Sequence, residues 1–542
     1  MFQDTEYIKI VIYFIMSKYF IMSKYLNMYK SKIFQLFIAI TVAVLTTGFL
    51  RLQLFSSVPE SDGGFYTFIN QYIYYALTHG QDLNTMTLHL YQFMTAWVYG
   101  LDVNQYISLR LIDGLVAVAA SVVFFKVILK ESGSTLFTVI LATALFILMN
   151  NVEVILFGFR NSIWVACLPL FTALLVWQNA SKEDKYSFYL IGGLVSLGIL
   201  LREPLLPFFL LAGIAIIIGY GWRALVKYLI GSAVVGFSVL GVILMFRGWD
   251  LLDLINSYID YSTLVNTLGK AGISALYLAS IKTNCFVYIT ASLSIIYIIK
   301  LYFTGKDSVN INRAYFWLAV ALVPLIEPMF KIGWSYTYAQ CLPGLAGLTA
   351  MGWKYMSNQA SKKINASMMM GVGLMSLFVI LPTIDRTLIK SSYIFGPTDA
   401  IPWVKKDLFR TAQMIERSQY LLVAAKIYGY SRNNSTLATS GLMSVLYPLT
   451  GLLPTSYESH DLGKLFIRLN YDENKLMGVL EKSRPTLIII SGAGFLYEKN
   501  LPKVIEKTNL YNKIEIVKGN QNISYGWKFK QPGIIYRLKN FE

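Results

Sequence analysis

Long apolar runs recur along the first 385 positions of this 542-residue chain. Each is roughly 17 to 25 residues long, the length a helix needs to cross a hydrocarbon core about 30 Å thick. A bilayer leaves no water to satisfy a backbone, so such runs span as helices. Composition agrees. The chain is 55% hydrophobic and 14% charged, with mean hydropathy +0.52, whereas a soluble domain carries about 25% charged residues. The fold class read from this is a polytopic α-helical membrane protein.

Spans are expected near residues 33–54, 109–128, 135–156, 161–178, 186–201, 205–221, 224–246, 284–303, 314–330, 336–353 and 365–384, about eleven in all. The segment Leu88–Leu101 is apolar but short, and reads as a re-entrant or surface-lying helix. Residues 1–32 form a cytoplasmic extension containing the direct repeat YFIMSKYFIMSKY, Tyr13 to Tyr25. Residues 33–384 form the membrane region.

The net charge of +17 fits cytoplasmic loops rich in Lys and Arg, and nucleic acid is not an expected partner. With the N-terminus inside, the inner connections hold Lys126 and Lys130, then Lys182 and Lys185, Arg223 and Lys227, Lys300, Lys306 and Arg313, then Lys354, Lys362 and Lys363. The first outer loop, 55–109, holds no Lys or Arg but does hold Glu60, Asp62, Asp82 and Asp102. The same alternation places the tail, 385–542, outside.

That tail changes character. A linker, SSYIFGPTDAIPW, precedes a helix expected around Trp403–Tyr428. Strands at Thr436–Gly441, Thr486–Ser491, Lys513–Val517 and Gly533–Leu538 alternate with helices near Asp472–Lys482 and Pro502–Thr508. This is the pattern of a small α/β domain, long enough at roughly 150 residues to hold its own core.

Candidate chemistry lies at the outer boundary, where buried polar groups are costly. In SSVPESDGGFY, Ser56 to Tyr66, an extended backbone would point Glu60 and Asp62 the same way. Carboxylates there suit proton abstraction or a divalent cation, or simply a solvated loop. Arg202, before Glu203 and Pro204, suits a phosphate clamp or a snorkelling pair with Glu203. Arg160 follows Glu153 in the same outer stretch and reads equally as an interfacial anchor. Arg110 has Asp113 three residues on, a spacing that makes a local ion pair. Lys331, Tyr336 and Tyr338 form a basic, aromatic rim or an aromatic belt. Three cysteines and three histidines show no disulfide or metal spacing. No phosphate-binding loop G-x-x-x-x-G-K-[ST], nucleophile elbow G-x-S-x-G, H-E-x-x-H or C-x-x-C is present.

An acid-bearing loop after the first span, then RLIDGL opening the second, resembles the GT-C superfamily of integral membrane glycosyltransferases, closest to its protein-mannosyltransferase-like bacterial members. LREPLLPFFLL (Leu201–Leu211), YTYAQCLPGLAGLTA (Tyr336–Ala350) and LATSGLMSVLYPLTG (Leu437–Gly451) resemble its mid-chain span, late span and tail domain. The resemblance implies transfer of a sugar from a polyprenyl-phosphate carrier to a glycan, lipid or protein acceptor, at the outer face of a bacterial plasma membrane. It implies Asp62 or Glu60 as the base, Asp62 preferred, with Ser61 separating acids that are commonly adjacent. It implies Arg202 on the carrier phosphate, with Arg160, Arg110 and Lys331 behind it. Tyr66, Glu203, Tyr336 and Tyr338 would rim the substrate cavity, and a divalent cation at Asp62 or Glu60 is compatible with the pattern. The rival classes are a multi-pass transporter or lipid flippase, and an O-antigen polymerase or ligase.

Overall fold

The computed structural model describes residues 37, 40–41, 43–45, 61–80, 88–132, 162–181, 183–202, 205–248, 250–267, 273–304, 311–323, 341–359, 420–440, 443–490, 500–517, 533–539 and 541. In chain order the first helices are α1 (Ser61–His79), α2 (Leu90–Thr95), α3 (Gln105–Ser132), α4 (Ser162–Trp177), α5 (Ser187–Leu201), α6 (Leu206–Tyr220) and α7 (Trp222–Arg247). They are followed by α8 (Leu251–Thr267), α9 (Ile273–Thr304), α10 (Ile311–Leu322), α11 (Leu342–Gln359) and α12 (420–430). Three of these contain stretches long and apolar enough to cross a membrane: Ile107–Ser132, Trp222–Arg247 and Val287–Thr304. Shorter apolar helices lie at Cys167–Trp177, Ser187–Leu201, Leu206–Tyr220 and Arg313–Leu322. This is the composition of an integral membrane protein.

The apolar helices share one core that runs from Leu88 and Tyr91 through Phe124, Phe171, Phe208 and Trp317 to Met351. Small residues set the closest crossing. A Cβ on Gly192 of α5 would lie 2.0 Å from the Tyr228 carbonyl oxygen, and one on Gly231 of α7 would lie 2.0 Å from that of Tyr189. The Ser232 hydroxyl donates to the Gly192 carbonyl at 3.0 Å across this crossing. Close backbone approach is how helices gain contact where lipid removes the hydrophobic drive between them.

The tail builds a mixed sheet. Strands β1 (Leu437–Thr439) and β2 (Leu487–Ile490) are parallel; β3 (Tyr511–Val517) and β4 (Gly533–Leu538) complete the order β1-β2-β4-β3 with antiparallel pairings. Between the strands lie α13 (Leu446–Thr450), α14 (Leu462–Arg468), α15 (Glu473–Ser483) and α16 (Leu501–Lys507). All four residues of β2 are buried, because helices cover both faces of the sheet. Ile488, Ile490, Ala438 and Tyr536 face α14, α15 and α16. Leu437, Leu487, Ile489 and Ile535 share a cluster with Tyr420, Val423 and Ile427 of α12 and with Phe68, Ile69, Tyr72, Ile73 and Ala76 of α1.

The last set joins the two halves of the chain: α1 supplies part of the layer covering the tail's sheet, and Gly64 of α1 sits directly on Val445.

Candidate functional site

The backbone is helical from Ser61 onward, so Asp62 does not lie on an extended stretch. Asp62 occupies the first turn of α1 instead. A carboxylate in a first helical turn is favoured by the helix dipole, by about 0.3–1 kcal/mol at a surface. Glu60, Arg160, Glu203, Lys331, Tyr336 and Tyr338 lie outside the described residues.

One turn into α1 the chain meets the tail. The Phe65 ring centroid is 5.9 Å from His460 and 6.3 Å from His89. Phe68 stacks on Tyr447 at 4.4 Å and on His460 at 5.2 Å. The ammonium of Lys464 lies 4.9 Å over the Phe65 ring, an attractive cation–π geometry. Tyr66 turns the other way, toward the small apolar cluster of Val98, Leu109, Tyr99 and Ile112. Its neighbour in α3, Arg110, is 2% exposed and Asp113 is 1% exposed. Both charges are therefore inside the fold, near the start of α3.

His89 marks the seam between the two cores. Leu88, Leu90 and Tyr91 belong to the core of the apolar helices. The backbone at His89 is left-handed, φ 46° and ψ 39°, a rare state for a residue with a side chain. Its ring packs at 6.3 Å from both Phe65 and Tyr66. Arg247, the last residue of α7 and 5% exposed, donates Nη2–H to the Leu88 carbonyl at 2.7 Å. Asn70 of α1 donates to the Gln92 carbonyl and to Thr95 Oγ1, each at 2.8 Å. These bonds fix α2 between α1 and α7.

Both histidines are poor bases here. Burial, then Arg247, then His460 lower His89 to about 3. Burial and then Lys464 lower His460 to about 4, with Asp461 and the Tyr457 carbonyl opposing and Arg468 assisting. His460 donates Nδ1–H to the Tyr457 carbonyl. This sets the tautomer and leaves Nε2 a lone-pair acceptor. That Nε2 is buried and has no hydrogen-bond partner.

Arg202 is at a second place. It ends α5 in an extended conformation, φ −150° and ψ 93°, with its amide donating to the Gly198 and Ile199 carbonyls at 3.0 Å. It lines a cavity of about 40 Å³ whose other walls are Cys167, Leu170, Phe171, Leu174, Leu205, Phe208, Val320, Val323 and Pro343. Among the described residues, Arg202 is the one charged group in that lining. The next helix opens at Leu206 with Pro207 in its first turn; Pro204, expected there, lies outside the described residues. The cavity and the seam share a wall, because α2 touches α5 and Leu88, Leu90, Leu201 and Leu205 lie in one core.

The structure thus groups Tyr66 and Arg110 near the start of α3, puts Asp62 at the head of the helix that meets the tail, and sets Arg202 in an adjoining cavity. Sequence reasoning missed His89, Arg247 and His460. Arg247 carried a signal: it lies at an outer span boundary, where basic residues are the exception. The histidines carried none, since tertiary packing alone brings them together. No protein-family model matches the chain, and no curated protein sequence matches it.

Proposed function

We propose that the chain is a GT-C-type membrane glycosyltransferase that uses a lipid-phosphate-linked sugar at the outer face. The observation that carries this reading is the Arg202 cavity, whose described lining is apolar apart from this one cationic group. An aliphatic carrier laid against such apolar walls gains roughly 0.8 kcal/mol per methylene buried. The guanidinium fork holds the phosphate.

In the reaction proposed, the acceptor hydroxyl oxygen attacks the anomeric carbon while the bond from that carbon to the phosphate oxygen breaks. The carrier phosphate leaves with the electron pair, against Arg202. The hydroxyl proton passes to the Asp62 carboxylate. Asp62 heads a helix that packs on the tail domain beside α2, and α2 adjoins the Arg202 cavity through α5. That placement supports pairing the two residues in one reaction. The buried cation Arg110 lies near the start of α3, beside the Tyr66 cluster.

The test follows release of free polyprenyl phosphate by purified protein in lipid. Asp62→Asn is expected to lower turnover at least 100-fold with folding intact, and Arg202→Gln to raise the KM for the carrier. Loss only in Glu60→Gln would move the base to the neighbouring acid. Absence of release from every carrier tried would sink the transferase reading and direct attention to flux across the same vesicles.

A further inference from the structure

The seam gathers basic groups from both halves of the molecule. Arg247 and His89 come from the apolar helices and α2, while His460, Lys464 and Arg468 come from the tail. Two carboxylates face them. Asp461 caps α14 through the Gly463 and Lys464 amides at 3.1 and 3.2 Å and lies 3.6 Å from the Lys464 ammonium. Glu458 lies 3.5 Å from Arg468. Both acids are thus occupied by groups of the tail itself. His460 Nε2, on a residue 4% exposed, has no hydrogen-bond partner among the described residues, and no described residue hydrogen-bonds to the His89 ring. A buried polar atom left unsatisfied costs about 1–3 kcal/mol. A fold that keeps one at this seam, where His89 and in turn Arg247 adjoin, suits a bound group that satisfies it.

The chemistry of the receiver is specific. With Nδ1–H committed to the Tyr457 carbonyl, Nε2 gains either a donated hydroxyl hydrogen or a proton. Burial, Lys464 and Arg468 hold that proton off His460, as burial and Arg247 hold one off His89. An oxyanion reverses the balance: its charge offsets the cations, both imidazoles protonate, and each then donates a charge-assisted hydrogen bond.

We infer that the seam between α1, α2 and the tail domain is a binding site for a phosphate-class oxyanion, with His460, His89 and Arg247 as its ligands, separate from the Arg202 cavity. Under the transferase reading, on which this assignment of role rests, the anion is an acidic group of the acceptor. It is held on the helix that begins with Asp62, so that the acceptor hydroxyl is presented near the base. The reaction therefore takes an acceptor bearing a phosphate.

The test uses the full-length protein in nanodiscs of phosphatidylcholine. One arm adds radiolabelled inorganic phosphate and reads equilibrium dialysis together with the unfolding midpoint. The other replaces a fraction of the lipid with phosphatidic acid, whose monoester supplies the same group from the bilayer. Saturable binding is expected in at least one arm, and the arm in which it occurs identifies the source. Because binding takes up protons at histidines that are neutral when the seam is empty, affinity rises as pH falls from 8 to 5.5, by up to about tenfold per pH unit for each proton taken up.

His460→Gln, made in an Arg202→Gln background so that the carrier-phosphate cavity contributes no binding, is expected to weaken the remaining binding at least fivefold and flatten its pH dependence. His89→Gln is the second variant if His460→Gln does not fold, with the same expectation. Absence of saturable binding in both arms, binding lost in Arg202→Gln alone, or binding kept in both histidine variants in that background overturns the inference without touching the transferase reading. Binding that needs His460, in a protein that turns over no carrier, upholds the site and overturns the transferase reading instead.

Discussion

Gly64 shows how one residue couples the two halves of the molecule. In sequence it belongs to a glycine pair after two acids, which reads as a sharp turn. In the structure it is helical, and its missing side chain is what matters. A Cβ there would sit 2.5 Å from the Val445 Cβ and 2.6 Å from its Cα. Both are held by the fold rather than by a flexible side-chain end, so the helix must shift. Alanine favours a helix over glycine by about 1 kcal/mol, yet Gly64→Ala is expected to destabilise the full chain by roughly 1–3 kcal/mol through overpacking. Thermal unfolding measures the balance of these two effects; a variant as stable as the parent would show that α1 is not seated on Val445. The residue type was legible and its reason was not, because the partner lies 381 positions away (445 − 64 = 381). A comparable separation hid His89 and His460 from each other. Arg202, by contrast, announced itself through a local feature, a guanidinium at the outer end of an apolar run, and the structure places it in a cavity wall.

At the scale of elements, the tail's strands were legible because each is an apolar run bounded by turn residues, and α15 because Asp472 caps it, accepting from the Asn474 and Lys475 amides at 3.0 and 3.1 Å. The short helices α13 and α14 were not read, since five and seven residues carry too little periodicity. Nor was α8, which lies in what looked like an outer connection. The most consequential miss is α1. Its buried face, Phe68, Ile69, Tyr72, Ile73 and Ala76, has no use within its own loop and makes sense only as a cover for the sheet. Each large side chain in that face contributes about 1.5–3 kcal/mol when buried. A fragment comprising residues 385–542 alone is therefore expected to expose the Leu437, Leu487 and Ile489 face, to bind a hydrophobic dye, and to aggregate. Joining residues 56–80 to it through a flexible linker is expected to restore a cooperative unfolding transition. A soluble, cooperatively folded 385–542 fragment would show that α1 is dispensable and that the tail is a domain by itself.

Across the whole molecule, polar groups collect in two layers joined by apolar helices. The helix α3 has 28 residues, about 42 Å at 1.5 Å per residue, which exceeds the hydrocarbon thickness of roughly 30 Å. At its start are Arg110 and the Tyr66 cluster, next to the seam and the tail. At its end Lys130 donates to the Gln178 carbonyl at 3.0 Å, Glu131 accepts from Gln178 Nε2 at 2.7 Å, and Arg313 lies 3.7 Å from Glu131 and donates to the Gln178 carbonyl at 2.9 Å. The other helices repeat the division. Between α5 and α7, Lys227 donates to the Asp184 carbonyl at 2.8 Å at one end, while Arg202 and Arg247 finish the same two helices at the other. The basic residues assigned to inner connections from charge alone, Lys130, Lys227 and Arg313, thus fall in one layer; the candidate site and the tail fall in the opposite one. This segregation gives the orientation a direct test. In a background lacking Cys167, Cys285 and Cys341, a cysteine introduced at Glu481 in α15 is expected to react with a membrane-impermeant maleimide on intact cells. One at Lys185, beside Asp184, is expected to react only after permeabilisation. The reverse pattern would put the seam, Asp62 and the Arg202 cavity on the cytoplasmic side. Both groups labelled from one side would mean that α3, α5 and α7 do not cross the bilayer at all.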